Sequence, residues 1–422
     1  MNVASALTNT KPLRVVIGVG GGIAAYKAAH LVRYFTERGH DVRVIPTRSA
    51  LNFVGASTFE ALSGHPVATE VFDAVDEVQH VRLGQDADLI VVAPATADLM
   101  ARIAHGRADD LLTASCLVAT CPVVLAPAMH TEMWENPATV DNVATLRRHG
   151  ITVLDPAHGR LTGTDTGVGR LPEPEQIGQL ALTVQADRDA FTRDLEGKRV
   201  LISAGGTHEP LDPVRYLGNA SSGRQGYALA EVAAQRGAKV TLVAGVTENL
   251  PTPSGAEVVR VKTAREMQEA VMEHATTADV VIMAAAVADY RPAEVAGSKM
   301  KKGSDADLST IQLTENPDIL AGVVEARARG AVASTTKIVG FAAETGDENS
   351  SPLDFARKKL QKKGCDLLMC NAVGEGKVFG QPDSAGWILS PNGEVIEVPP
   401  GPKTGVAAAI WKVVCETKAT TT

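Results

Sequence analysis

Residues 14–18 read RVVIG and residues 199–203 read RVLIS, and each β-branched run enters a glycine cluster. Each is followed by an alanine-rich segment with helical spacing that ends in Arg-Gly, at Arg38-Gly39 and Arg236-Gly237. A second apolar run then begins in each half, DVRVIPT (41–47) and AKVTLVAG (238–245). Strand, glycine turn, helix, glycine stop and strand make up the grammar of a βαβ unit in a parallel sheet. The echo returns at Ala87–Asp98, ADLIVVAPATAD, and at Ala278–Asp289, ADVVIMAAAVAD. Both are continuous apolar runs of the kind a strand covered on both faces needs. Each is expected to close on its Asp in a small-residue loop, and the run Val280–Ala288 has the length of a buried strand. The chain therefore reads as α/β, with two Rossmann-like doubly wound parallel-sheet domains. Between the halves, PEPEQ (172–176) opens a helix-like stretch that runs to about Asp194, before Gly197-Lys198 and the next strand. The cut is placed near residue 190, giving domains 1–190 and 191–422.

The composition agrees. Four hundred and twenty-two residues exceed what one core organises, and 45% hydrophobic with 21% charged residues is an ordinary globular balance that excludes a mostly disordered chain. Aromatics are 4%, so Ala, Val, Ile and Leu must build the cores. A net charge of −8 argues against a general nucleic-acid or membrane-surface binder. No apolar stretch approaches the ~20 residues of a membrane span, and Met1–Lys11 lacks the pattern of a secretory signal. Five cysteines (116, 121, 365, 370 and 415) show no CxxC spacing, so neither a zinc site nor a disulfide framework is expected, and a cytoplasmic location is.

In the first half, GVGGGIAA (18–25) fails as a dinucleotide fingerprint, because Ile23 takes the third glycine's place and no carboxylate closes the second strand. What remains is a helix amino end with exposed amides, suited to one phosphate. Thr47, Arg48 and Ser49 add hydroxyls and a charge, which suits a mononucleotide such as FMN. PAMHTEMWENP (127–137) reads either as a hydrophobic plug or as a pocket wall over a flat ring. GRLTGTDTGVGR (159–170), with four glycines in twelve residues, has the make-up of a mobile lid.

GIAAYK (22–27), the segment EVQHVRLG around His80, APATAD (93–98), the PAM-x-x-EMW-x-NP stretch and the glycine-rich flap, taken in order, resemble the flavin-dependent cysteine decarboxylases. They are most similar to the phosphopantothenoylcysteine decarboxylase half of the bifunctional coenzyme A biosynthesis family. The resemblance implies FMN held by Gly20, Gly21, Gly22, Thr47, Ser49, Thr96, Ala97 and Asp98, with His80 as catalytic histidine working on the substrate thiol. Flavin oxidation of that thiol supplies the electron sink that loss of CO2 requires. His130 stands where the family places Asn, and the flap carries no cysteine, the aligned position falling near Gly163. The proton donor is thus left open among Thr162, Thr164, Asp165 and His130.

In the second half, the first strand and its helix are separated by an insertion, SAGGTHEPLDPVRYLGNASSGRQG (203–226), polar enough to be functional. Lys299, Lys301 and Lys302 in GSKMKK, together with Lys359 and Lys363 at i and i+4, concentrate positive charge in an acidic protein, which favours a nucleoside triphosphate. No Walker pattern is present. GGTHEPLDPVRYLGNASSG, AAVADYRP (285–292), the lysine cluster, NPDI (316–319) and KLQKK (359–363) resemble phosphopantothenate–cysteine ligase, which in its bacterial fused form uses CTP. That implies an acyl-cytidylate steadied by Asn219, with Lys299 neutralising charge during nucleotidyl transfer. It also implies CTP held by Met283, Ala284, Ala285, Asp289, Lys299, Pro317, Asp318, Ile319, Leu320, Phe341, Lys359 and Lys363. Mg²⁺ or Mn²⁺ is expected on the phosphates, its ligands unknown from the sequence.

The expected activity condenses 4′-phosphopantothenate with L-cysteine, then decarboxylates the product to 4′-phosphopantetheine. Trimeric decarboxylase and dimeric ligase contacts would close into a homo-oligomer, a dodecamer being one solution. The alternatives are a ligase whose amino-terminal domain is inactive or only binds FMN for regulation, and a nucleotide-binding scaffold without turnover.

Overall fold

The computed structural model describes residues 11–69, 79–161, 164–300, 310–344, 351–372 and 383–417. It separates into two compact units, 1–191 and 192–422, and each is a doubly wound α/β layer structure.

The first unit is built on five parallel strands in the order Asp41–Pro46, Arg14–Val19, Leu89–Ala95, Val123–Pro127 and Thr152–Val153. Val15, Ile17, Leu89, Ile90, Val91 and Val92 are almost wholly buried, as strands covered on both faces require. The chain starts in the middle of the sheet, moves to one edge, then crosses back to the other side. That reversal lies between Arg14–Val19 and Leu89–Ala95, and ligands of open α/β sheets bind at such a point, outside the carboxyl ends of the strands.

The second unit repeats the arrangement with Ala256–Arg260, Lys239–Ala244, Arg199–Ala204, Val280–Met283, Lys337–Glu344 and Leu367–Ala372, all parallel. Two antiparallel strands, Asp383–Leu389 and Val395–Pro402, extend that sheet at one edge. On one face, Met267, Val271, Val323 and Leu360 pack over the sheet. The helices Arg224–Gln235 and Lys403–Glu416 pack together, with Trp411 fully buried and its indole N–H donating to Leu229 O at 2.9 Å.

Three local elements differ from what their sequence pattern predicts. The helix expected to reach Asp194 is Pro174–Ala186, because Asp187 turns the chain by accepting the Asp189 N–H at 3.0 Å. The run Val280–Ala288 is a strand only to Met283. From Ala285 its amides are taken by the end of the neighbouring strand Arg199–Ala204 and the loop that follows it. Asp98 does not close a loop: Thr96 accepts the Leu99 N–H at 3.3 Å and starts a helix, Ala97–Ala104, with Asp98 in its first turn.

Candidate functional sites of the two units

In the first unit, the segments after three strands are tied together at the carboxyl edge of the sheet. Gly20 N donates to Pro94 O at 3.0 Å, Thr47 N donates to Val19 O at 2.8 Å, and Ala128 N donates to Ala95 O at 3.2 Å. These close approaches explain the glycines: a Cβ at Gly20 would lie 2.5 Å from Pro94 O, and one at Gly21 2.5 Å from the Ser49 Cβ. Gly22, by contrast, has open space in front of it, its nearest atom being the Thr96 Cγ2 at 4.0 Å. Gly20–Gly22, Thr47–Ser49 and Thr96–Asp98 are thus gathered around two helical amino ends, the turn Ile23–Ala25 and the helix Ala97–Ala104. That donor set and the free space beside Gly22 fit a phosphorylated mononucleotide such as FMN. Asp98 is mostly exposed and pairs with Arg102 at 3.1 Å. Arg102 also holds Asp109 and Asp110, at 3.0 and 2.7 Å.

The flap is a two-stranded hairpin, Ala157–Arg160 with Thr166–Arg170; residues 162 and 163, where the cysteine question falls, lie outside the described residues. The hairpin grips the PAMHT loop. Met129 N donates to Gly169 O at 2.9 Å, and the Thr131 hydroxyl donates to Val168 O at 2.7 Å. Arg170 and the buried Lys27 share Glu173, which moors the hairpin's end to the helix Tyr26–Thr36. Burial pulls the Lys27 ammonium down, and Glu173 only partly offsets it. His130 sits at the amino cap of the short helix Thr131–Trp134. His80 is the second residue of the helix Gln79–Asp86, which packs on Leu111–Val118 and leads in two residues to the buried strand.

One test arises here. Gly169 has φ +133° and a Cβ there would lie 2.2 Å from Met129 O. Gly169→Ala is expected to unseat the hairpin and lower decarboxylase turnover roughly tenfold or more, leaving cysteine ligation unchanged. Both rates are read on one preparation.

In the second unit, the polar insertion and the loop after Val280–Met283 are stitched to each other. Ala285 N donates to the Ser203 hydroxyl at 3.2 Å, Ala286 N to Gly205 O at 2.8 Å, and Ala288 N to the Thr207 hydroxyl at 2.9 Å. The Asn219 amide donates to Val287 O at 3.1 Å. Asn316 continues the chain of contacts, its backbone donating to Asp289 O and its side chain to Ala288 O, both at 2.8 Å. Asp318 caps the helix Ile319–Ala328 and pairs with Lys363. Burial raises the Asp318 carboxyl, but bonds from Lys363 and the Ala321 amide outweigh it and leave it below the ordinary carboxylate value. Lys359 pairs with Glu344 at 3.1 Å. Beside Met283 in the sheet is Gly340, against which the Leu320 side chain packs, and Phe341 follows it.

The structure therefore brings together Asn219, Met283–Ala285 and Asp289 with Pro317–Leu320, Phe341, Lys359 and Lys363. The two lysines are not loose positive charge, since each already holds a carboxylate. Lys299 is exposed, next to Met300, while Lys301 and Lys302 lie outside the described residues. Sequence reasoning missed Ser203, Thr207, Asn316 and Glu344. A Ser or Thr two to four residues into a glycine-rich loop is a signal for such cross-loop bonds. Among the described residues no cluster of three His, Cys, Asp or Glu side chains forms a metal site, all five cysteines are free, and no helix is long and apolar enough to cross a membrane.

A family model described as "Flavoprotein" matches residues 3–184, and one described as "DNA/pantothenate metabolism flavoprotein C-terminal domain" matches residues 195–417. The chain is 61% identical over 399 residues to the coenzyme A biosynthesis bifunctional protein CoaBC of Mycobacterium tuberculosis (strain ATCC 25618 / H37Rv), covering 94% of this chain and 95% of that one. The chain belongs to this bifunctional coenzyme A biosynthesis family. The Vibrio parahaemolyticus member is 45% identical over 388 residues, covering 90% and 93% of the two chains. A crystal structure of the C-terminal domain of a CoaBC protein is 37% identical, covering 53% of this chain and 97% of that one, with a TM-score of 0.43. As a family member, the chain is an enzyme with two activities, a decarboxylase and a ligase.

Proposed function

We propose that the second unit condenses 4′-phosphopantothenate with L-cysteine at the expense of CTP. The first unit then decarboxylates the adduct to 4′-phosphopantetheine with FMN. The observation that carries this reading is the pairing of two switch-point sites on one chain. One offers helical amino ends and small residues, the other a stitched loop cluster with lysines. We assign domains 1–190 and 191–422 to the two reactions.

In the first unit Gly20–Gly22, Thr47, Ser49 and Thr96–Asp98 hold the FMN, which supplies a reversible two-electron acceptor. His80 moves the proton of the substrate thiol, since an imidazole nitrogen can both accept a proton and return it. The hairpin over Met129–Thr131 excludes water, and His130 is one of the groups able to return a proton to the decarboxylated carbon.

In the second unit a carboxylate resists attack by an amine until its oxygen becomes part of a good leaving group. The carboxylate of 4′-phosphopantothenate attacks the α-phosphorus of CTP, and pyrophosphate leaves. The cysteine amine then attacks the acyl carbon, CMP leaves and the amine's proton goes to solvent. Asn219 steadies the acyl-cytidylate, and Lys299 neutralises charge as the α-phosphorus changes partners. Met283–Ala285, Asp289, Pro317–Leu320, Phe341, Lys359 and Lys363 seat the nucleotide. The lysines exchange Glu344 and Asp318 for phosphate oxygens, with Mg²⁺ or Mn²⁺ on the triphosphate. The enzyme works as a cytoplasmic homo-oligomer built from trimeric decarboxylase and dimeric ligase contacts.

The test is mass spectrometry of the products from CTP, cysteine and 4′-phosphopantothenate, with flavin absorbance recorded on the same sample. Formation of 4′-phosphopantetheine with stoichiometric CMP and CO2 is expected. Accumulation of the cysteine adduct by the wild-type protein would favour the inactive amino-terminal domain, and no CMP with any added substrate would favour the scaffold.

A further inference from the structure

The motif Asp212-Pro-Val-Arg215 lies in the polar insertion, yet its side chains are spent on one backbone residue elsewhere. The Asp212 carboxylate is fully buried. It accepts the amides of Val214 and Arg215, each at 2.8 Å, and the Arg215 guanidinium, at 3.0 Å from Nε and 2.5 Å from Nη2. The same carboxylate accepts the Met300 N–H at 3.2 Å, while Arg215 Nη2 donates to the Met300 carbonyl at 2.7 Å. Both hydrogen-bonding groups of the Met300 backbone are therefore taken by one Asp–Arg pair. A third bond, Ala296 N to Leu211 O at 3.0 Å, fixes the same segment four residues earlier. The residue between these anchor points that carries a cation is Lys299, whose own side chain is exposed.

We propose that Asp212 is a positioning residue for the ligase reaction, acting through Arg215 and the backbone of Met300 to hold Lys299 at the transferring phosphoryl group. The proposal rests on the role given to Lys299 above. Its physical basis is that an exposed lysine has four rotatable bonds to order, and a fixed Cα removes the largest source of misplacement before the nucleotide arrives. The Asp212 carboxylate stays ionised, because the Arg215 bond and the three backbone amides hold it well below the usual carboxylate range against its burial. The clamp is therefore not lost at mildly acidic pH. Nothing in it depends on the Met300 side chain.

The test is a double-mutant cycle on pyrophosphate release from CTP and 4′-phosphopantothenate, using the full-length protein with its thermal midpoint recorded for each variant. Asp212→Asn keeps an acceptor oxygen but loses the ion pair, and Arg215→Lys keeps the charge but cannot span both partners. Each is expected to lower kcat at least tenfold with KM for CTP changed less than threefold, and Met300→Ala to retain wild-type turnover. In a Lys299→Gln background, Asp212→Asn and Arg215→Lys are expected to cost less than threefold more. Full additivity of the losses overturns the proposal, as does wild-type turnover by both clamp variants. Should Asp212→Asn fail to fold, Arg215→Lys decides alone. Wild-type turnover by Lys299→Gln overturns the role of Lys299, and the proposal with it.

Discussion

His80→Asn is expected to stop the reaction sequence at 4′-phosphopantothenoylcysteine. A positioned imidazole in general acid–base work contributes roughly 10²–10⁴-fold, and an amide of similar size can hydrogen-bond but cannot exchange a proton near pH 7. CO2 release should fall by about that factor while pyrophosphate release from CTP keeps its wild-type rate, since the ligase residues all belong to the other unit. Flavin absorbance should persist, because the segments gathered at the carboxyl edge of the sheet, Gly20–Gly22, Thr47–Ser49 and Thr96–Asp98, do not include position 80. That combination separates a lost proton carrier from a lost fold. A variant that releases CO2 within threefold of the wild-type rate would remove His80 from the chemistry.

The parts of this enzyme written in short-range pattern are legible in its sequence. RVVIG and RVLIS, with their helices and second strands, follow from β-branched runs and glycine punctuation, and the strands Arg14–Val19, Asp41–Pro46, Arg199–Ala204 and Lys239–Ala244 are there. What pattern does not carry is the partner of each polar group. Val280–Ala288 has a uniform apolar profile, yet it leaves the sheet after Met283, where Ser203 at the end of the neighbouring strand and Gly205 and Thr207 in the loop after it accept its amides. Among the described residues, the two antiparallel strands at the edge of the second sheet have no counterpart in the sheet of the first half, so no internal repeat marks them. Lys359 and Lys363 are readable as charge on one helix face, but the carboxylates they hold come from 15 and 45 residues away in sequence. His80 follows from resemblance alone: a single histidine before an apolar strand has no spacing partner to mark it. Asp98 reads as the end of a loop only while Thr96 is given no weight, although threonine is a residue type that commonly starts helices.

Asp366→Ala is expected to disable the ligase by a different route, through stability. The helix Ile319–Ala328 begins at Asp318 with the residues assigned to the nucleotide, and its last turn carries Arg327. Arg327 is 8% exposed and Asp366 1%, and they are paired at 2.5 Å. Asp366 also accepts the Ile338 N–H at 2.7 Å, and Arg327 donates to Thr336 O at 2.8 Å. Removing the carboxylate leaves a buried guanidinium without its counter-charge and the Ile338 amide without its acceptor, a change that costs about 3–5 kcal/mol. Against a total stability of roughly 5–15 kcal/mol, that is enough to melt the unit near working temperature. At about 2–4 °C per kcal/mol for a domain of this size, its midpoint should drop by ~6–20 °C. Pyrophosphate release should vanish on warming well before flavin absorbance does, since neither residue belongs to the first unit. Saturating CTP should restore part of the loss, because a ligand that binds only the folded unit adds stability by mass action. Pairing Asp366→Asn with Arg327→Met should recover more than half of it, because no uncompensated charge is then left inside. An Asp366→Ala protein within 1 kcal/mol of wild type, or a double variant no better than the single, would mean that this pair does not anchor the nucleotide helix.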